Sequence, residues 1–210
     1  DGFVITVLFW IVLSVSGSIP FILFGFGVVD SFFESMSGIT TTGATVIAGL
    51  DDLPKSLLIY RQLLQWLGGM GLIVLAIAVM PLLGIGGGQL FKTQTPGPMS
   101  EQRLTPRITS TARALWSIYF VLTVLCIFAY RLAGMNYFDA VSHAFSTVSI
   151  GGFSTHDLSI GFFDSLSIEI VCIAFMLLSA MSFAIHYSAI YRKQVLKYFY
   201  DPELRFFVSL

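Results

Sequence analysis

The stretch Asp30-Ser-Phe-Phe-Glu-Ser-Met-Ser-Gly-Ile-Thr-Thr-Thr-Gly-Ala-Thr45 decides how the chain is read. It lies between two long apolar runs and is too short to cross a bilayer, which takes about 20 apolar residues. It opens on an acid, reads as a short helix over 30–39, and breaks at Thr40-Thr41-Thr42-Gly43. Thr is β-branched and Gly loses the most backbone entropy in a helix, so that run predicts extended backbone. Non-helical backbone between membrane helices is tolerated only inside protein or along a watery cavity. The stretch is a candidate re-entrant pore loop.

It occurs twice. Asp139-Ala-Val-Ser-His-Ala-Phe-Ser-Thr-Val-Ser-Ile-Gly-Gly-Phe-Ser154 aligns with it without a gap. Asp30 falls on Asp139, Ser37 on Ser146 and Gly43 on Gly152, a constant spacing of 109 residues. Each copy sits between apolar helices in the same order, which gives a modest set of identities its weight.

The surroundings fit a membrane setting. Of 210 residues, 56% are hydrophobic, 15% aromatic and only 11% charged. The mean hydropathy is +0.85, and soluble domains carry about 25% charged residues. An all-α integral membrane protein is expected, with the lipid bilayer as its solvent. No basic cluster and no aromatic-basic interleaving suggests a nucleic acid, so none is expected as a partner. Cys126 and Cys172 lie inside apolar runs and read as small buried hydrophobes, not a disulfide or metal pair. The opening Asp1-Gly2 suggests a piece of a longer protein, and the first apolar run lacks the basic leader of a signal peptide.

Taken in order, spans are expected over 3–26, 57–83, 114–132 and 164–191, with short helices over 30–39 and 138–148. Loops follow the short helices over 40–47 and 149–155. The chain divides into a first helix–pore-loop–helix unit (1–84), a connection (85–113), a second unit (114–193) and a tail (194–210). Gly17 and Pro20 predict a kink in the first span, and Gly68-Gly69-Met70-Gly71 predicts close helix packing rather than a hinge. Gly84-Ile-Gly-Gly-Gly88 is no phosphate loop, because no Gly-Lys-Ser/Thr follows.

Lys92, Arg103, Arg107 and Arg113 mark the connection, and Arg192, Lys193, Lys197 and Arg205 the tail. The positive-inside rule places both in the cytoplasm and both loops outside. Only Lys55, Arg61 and Arg131 accompany the short helices, beside Asp30, Glu34, Asp51, Asp52, Asp139, Asp157 and Asp164. Those acids are expected to concentrate cations at the mouth.

Each short helix would aim its partially negative C-terminus at a common axis, favouring a cation there. The extended backbone beyond can replace an ion's hydration shell with carbonyl oxygens, and glycine permits the φ values this needs. The oxygens are expected from Thr41, Thr42 and Gly43 in the first loop, and from Ile150, Gly151 and Gly152 in the second. Ordinary polar turns at a membrane surface are the competing reading, and the repetition favours the pore.

Three segments, Ser37-Gly-Ile-Thr-Thr-Thr-Gly-Ala-Thr45, Gln65-Trp-Leu-Gly-Gly-Met-Gly71 and Phe145-Ser-Thr-Val-Ser-Ile-Gly-Gly-Phe-Ser154, resemble the Trk/Ktr/HKT superfamily of potassium-uptake proteins. The similarity is nearest to its bacterial TrkH-type membrane subunits and runs from about Asp30 to Arg192. It implies four helix–pore-helix–loop–helix repeats in a pseudo-fourfold arrangement around one potassium pore in the full protein. Gly43 and Gly152 match the filter glycines. A serine at the first such glycine is associated in that family with sodium permeation. A homodimer in the bacterial inner membrane and a cytosolic nucleotide-binding regulatory subunit of the TrkA kind are implied as well. No catalysis and no cofactor are expected; potassium is the cargo. Two repeats are present, so the family's gating loop and its basic residue near the pore have no counterpart here. Neither loop carries Thr-Val-Gly-Tyr-Gly, so looser selectivity than in potassium channels is expected.

Three other functions fit the sequence less well. An intramembrane protease would need Ser154 with His156 or His186, and no sequence spacing assembles them. An inverted-repeat secondary transporter conflicts with two loops facing one side. A mere scaffold leaves the Thr-rich backbone without purpose. Of the histidines, His143 is expected on a neighbouring backbone carbonyl, His156 solvated in its loop, and His186 at an interfacial or helix contact.

Overall fold

Helix ends set the path of the chain. In the computed structural model, which describes residues 2–79, 107–181, 183–191, 194 and 197–200, helix α1 covers Gly2–Leu23 and continues through Pro20. It stops in a left-handed glycine, Gly25, at φ 96°. The amide of Phe26 donates to Phe21 O (3.2 Å) and that of Gly25 to Ile22 O (2.9 Å), the two bonds that satisfy orphan carbonyls at such an end. Helix α2 then spans Val28–Ile39. After an extended loop and a 3₁₀ turn at Leu50–Asp52, α3 runs over Lys55–Val79.

The second half repeats the path. Helix α4, Arg107–Leu132, ends at Gly134 (φ 110°), with Met135 N on Tyr130 O (3.0 Å) and Gly134 N on Arg131 O (3.2 Å). Helix α5, Tyr137–Val148, starts where Asn136 accepts from the Asp139 amide. A 3₁₀ turn at Ser159–Phe163 leads to α6, Leu166–Ala180. Then come α7, Phe183–Tyr191, and α8, Lys197–Tyr200. Helices α2 and α5 have 12 residues each and are displaced by the 109-residue spacing seen in the sequence.

Packing puts α3 at the seam. Helix α1 lies on α2, α4 lies on α5, and α3 contacts α2 on one side and α4 and α5 on the other. One core gathers Phe21, Ile39, Leu57, Leu58 and Leu64; the other joins Met70 of α3 to Tyr119, Cys126, Tyr130, Ala144 and Cys172. Trp66 seals the junction, tilted against Tyr119 and Phe145. Its Nε1 donates to Thr123 Oγ1 at 3.0 Å, giving the half-buried ring a polar partner. A Cβ on Gly68 would fall on the carbonyl of Ile39, so this glycine lets α3 press against the end of α2. That is the close packing expected of the glycine run.

Polar and apolar groups are distributed inside out relative to a soluble protein. Glu34, Arg61, Gln62, Gln65, Asp139 and His143 are buried, while Val7, Val12, Val15, Phe120, Leu125, Phe128 and Ile173 are exposed. Ala114–Leu132 within α4 is long and apolar enough to cross a membrane. Such an arrangement suits an apolar solvent around a polar interior.

The structure corrects three expectations. The fourth span does not begin at 164 or run unbroken to 191: Asp164 is left-handed, and α6 ends at Met181 in an extended conformation. Arg61 is no mouth residue, because it lies within α3 and is fully buried. Glu34 and Asp139 are buried too, so they cannot concentrate cations at a surface. The Gly84–Gly88 run, Lys92, Arg103, Arg192, Lys193 and Arg205 lie outside the described residues.

Candidate functional site

Both short helices end in the same way. Thr42 N donates to Ser37 O (2.9 Å) and Thr41 N to Gly38 O (3.0 Å). In the second copy, Gly151 N donates to Ser146 O (2.8 Å) and Ile150 N to Thr147 O (3.1 Å). The geometry matches the glycine-terminated ends of α1 and α4, but the left-handed residues here are Thr41 (φ 53°) and Ile150 (φ 54°). A β-branched residue in that region is strained by roughly 1–2 kcal/mol, and such strain clusters at functional sites. Two residues on, Gly43 (φ 77°) and Gly152 (φ 85°) turn left-handed again, so each loop alternates its peptide directions.

The two loops meet at these glycines. A Cβ on Gly43 would strike Gly151 O and lie 3.5 Å from Gly152 Cα. Thus the sequence-predicted residues Gly43, Gly151 and Gly152 come together, with Thr41, Thr42 and Ile150 at the loop entrances. On its open side the second loop borders a cavity of about 490 Å³, lined by Ser146, Thr147, Ile150, Gly152 and Glu169 among others.

Behind the first loop lies a buried ion pair. Arg61 Nε donates to Glu34 Oε1 at 2.8 Å, and Arg61 Nη2 lies 2.6 Å from the same oxygen. Glu34 also accepts from Thr45 Oγ1 (2.9 Å) and from the Val46 amide (3.2 Å). Arg61 Nη2 reaches Thr45 Oγ1 (3.0 Å), and its Nη1 crosses to the carbonyl of Ser154 (3.1 Å). Its guanidinium stands 4.4 Å from the centre of the Phe153 ring. Every charge in this network has hydrogen-bond partners, which burial requires.

Behind the second loop the ion pair is replaced by a neutral chain. His143 occupies the position 109 residues after Glu34, and Ser154 that after Thr45. His143 Nδ1 is 2.9 Å from Asp139 O, an acceptor, so Nδ1 carries the proton and Nε2 accepts from Ser154 Oγ at 2.9 Å. Ser154 Oγ in turn accepts from the His156 amide (3.1 Å). The structure therefore pairs Ser154 with His143, and the chain is buried behind the loop. Gln65 completes the support: its Nε2 donates to Gly151 O (2.7 Å) and its Oε1 accepts from Phe153 N (3.0 Å).

The outer turns are latched to one another. Asp157 accepts from the amides of Gly49 (3.1 Å) and Leu50 (3.0 Å). Asp51 takes His156 Nδ1, and that hydrogen bond holds the Asp51 carboxyl below its usual pKa. His156 Nε2 lies 3.4 Å from Asp139 Oδ2, and its ring stacks on Phe162 with centroids 3.5 Å apart. His156 is thus held between two carboxylates and an aromatic face, not solvated as expected. His143 does sit on a backbone carbonyl, and His186 bonds Leu178 O and Tyr198 Oη. Sequence reasoning missed Glu34, Arg61, Gln65 and Asp157 as structural partners of the loops.

Comparison with known proteins follows the same lines. The family model described as "TrkH: Cation transport protein" matches residues 1–210. The Trk system potassium uptake protein TrkH of Halomonas elongata is 58% identical over 209 residues, covering 98% of this chain and 43% of that protein. TrkH of Vibrio parahaemolyticus is 55% identical over 215 residues, covering 100% of this chain and 44% of the relative. TrkH of Escherichia coli K12 is 50% identical over 213 residues, with the same coverages. The crystal structure of the potassium transporter TrkH from Vibrio parahaemolyticus gives a TM-score of 0.82 at 52% identity, over 100% of this chain and 42% of that one. The chain spans less than half the length of these relatives.

Proposed function

This chain belongs to the TrkH family of cation transport proteins, and on that premise we propose that it forms part of a potassium-translocating membrane subunit. The ion path runs past the two glycine-centred loops. The observation that carries the reading is their paired geometry. Each short helix ends in a strained left-handed residue, Thr41 or Ile150, and each loop turns again at a glycine, Gly43 or Gly152. Alternating left-handed residues redirect successive carbonyls, and those oxygens would stand in for water around a dehydrated K⁺. Thr41, Thr42, Gly43, Ile150, Gly151 and Gly152 supply them. The Gly151 carbonyl already accepts from Gln65, which fixes its direction and leaves a second lone pair.

In this reading residues 1–84 and 114–193 are two helix–pore-helix–loop–helix repeats, and further repeats complete a pseudo-fourfold pore. The loops face outward, while the connection 85–113 and the tail 194–210 face the cytoplasm of a bacterial inner membrane. A homodimer and a cytosolic nucleotide-binding subunit of the TrkA kind complete the assembly, and no covalent chemistry is involved.

The test is rubidium against sodium entry into liposomes carrying the full-length protein, wild type beside Gly43→Ser. The wild type is expected to prefer rubidium. The serine Cβ would strike the Gly151 carbonyl at a φ that L-residues rarely adopt, so the preference should fall by about tenfold, ~1.4 kcal/mol. Equal ratios in the two proteins would remove Gly43 from the filter.

A further inference from the structure

Helix α3 carries two polar residues one turn apart, Arg61 and Gln65, and both reach across the seam into the loop of the other unit. Three backbone sites of that loop are taken: Gly151 O and Phe153 N by Gln65, and Ser154 O by Arg61. The same arginine holds the first loop through Thr45 and through Glu34, which itself binds the Val46 amide. Arg61, Gln65 and Glu34 are all 0% exposed, so these bonds form in a low-dielectric interior where a fixed geometry is costly to distort. The support is one-sided. At the corresponding register α6 carries Ile170 and Ala174, and both are exposed. Among the described residues, α3 of the first unit braces the second loop, and α6 gives the first loop no equivalent brace at that register.

We propose that Arg61 and Gln65 are positioning residues for cation selectivity: they fix the carbonyl directions of residues 151–154 from behind and lock the two loops to one another. This rests on the reading of those loops as the ion path. Gln65 sets the Gly151 peptide beside Gly43, where the loops meet. Arg61 holds both loops on one planar guanidinium fork, a geometry that lysine cannot reproduce. Neither residue touches the ion: Gln65 acts through the Gly151 carbonyl, and Arg61 holds the ends of the two loops at Thr45 and Ser154.

The experiment is rubidium and sodium entry into liposomes carrying the full-length protein, with Gln65→Met and Arg61→Lys beside wild type and Gly43→Ser. Methionine keeps the length and helix preference of glutamine while removing both hydrogen bonds. Lysine keeps the charge beside Glu34 but gives up the fork to Ser154 and Thr45. A purely structural role would lower both fluxes together, in step with the amount of folded protein. A positioning role lowers the rubidium-to-sodium ratio itself, by about tenfold for loss of two buried hydrogen bonds. If Gln65→Met does not reach the membrane, Arg61→Lys decides alone. Wild-type ratios in these variants, with Gly43→Ser shifted toward sodium, overturn the proposal and leave the filter standing. Wild-type ratios in all three variants overturn the filter assignment and this proposal with it.

Discussion

Glu34 and Arg61 show what a single residue can conceal in sequence. Their place in the sequence suggests charges at the mouth, yet each is fully buried, and 27 positions separate them. The available signal was that an ionisable group within apolar helices needs a partner, and Glu34 and Arg61 are opposite in sign. Removing one partner strands the other, so Glu34→Gln should cost about 3–5 kcal/mol. Thermal unfolding of the purified full-length protein would measure it. Glu34→Gln combined with Arg61→Gln should recover part of the loss, because no uncompensated charge then remains; a double variant as unstable as the single one would refute the pairing. Gly43 and Gly152 were legible because only glycine adopts such φ values freely. Thr41 and Ile150 were not, since nothing about Thr or Ile announces a left-handed backbone.

Elements were legible where their ends carry glycine or a cap. The first span, the start of the second, the end of the third and both short helices fall within a few residues of expectation, because Gly25, Gly134 and Asn136 punctuate the chain. The third span starts at Arg107, ahead of the expected 114. The break after α6 was invisible: Ser179-Ala-Met181 contains neither Gly nor Pro. What sustains it is tertiary, since His186 Nε2 donates to Leu178 O (2.9 Å), one of the carbonyls orphaned at the helix end. Helix α3 offers a sharper test. A methyl on Gly68 meets the Ile39 backbone, which cannot rotate away, whereas a methyl on Gly71 meets nothing within 4 Å. Gly68→Ala should therefore destabilise by about 1–3 kcal/mol through overpacking. Gly71→Ala should be neutral or stabilising by up to about 1 kcal/mol through helix propensity. Thermal unfolding of the two variants side by side checks this, and similar values would place the α2–α3 contact elsewhere.

At the scale of the molecule, the 109-residue repetition was readable in sequence, but the contacts that tie the loops and turns of one half to the other were not. They join loop to loop at Gly43, α3 to the second loop, and turn to turn at the outer latch. The latch has a pH dependence whose sign follows from Asp51. The hydrogen bond from His156 lowers the folded-state pKa of Asp51 below its ordinary value of 3.8. Between those two values the unfolded chain binds more protons than the folded one, so stability rises with pH there. The contribution of Asp51 is fully present above pH 3.8 and is lost as pH falls through the lower folded value. Asp51→Asn removes the charge at every pH. Wild type should therefore unfold at a higher temperature than Asp51→Asn at about pH 6, and that advantage should shrink as pH is lowered below 3.8. Asp157→Ala, which frees the Gly49 and Leu50 amides, should speed their hydrogen exchange at neutral pH. An Asp51 advantage that persists undiminished in acid, or amides that stay protected in Asp157→Ala, would mean that the outer latch does not hold the halves together.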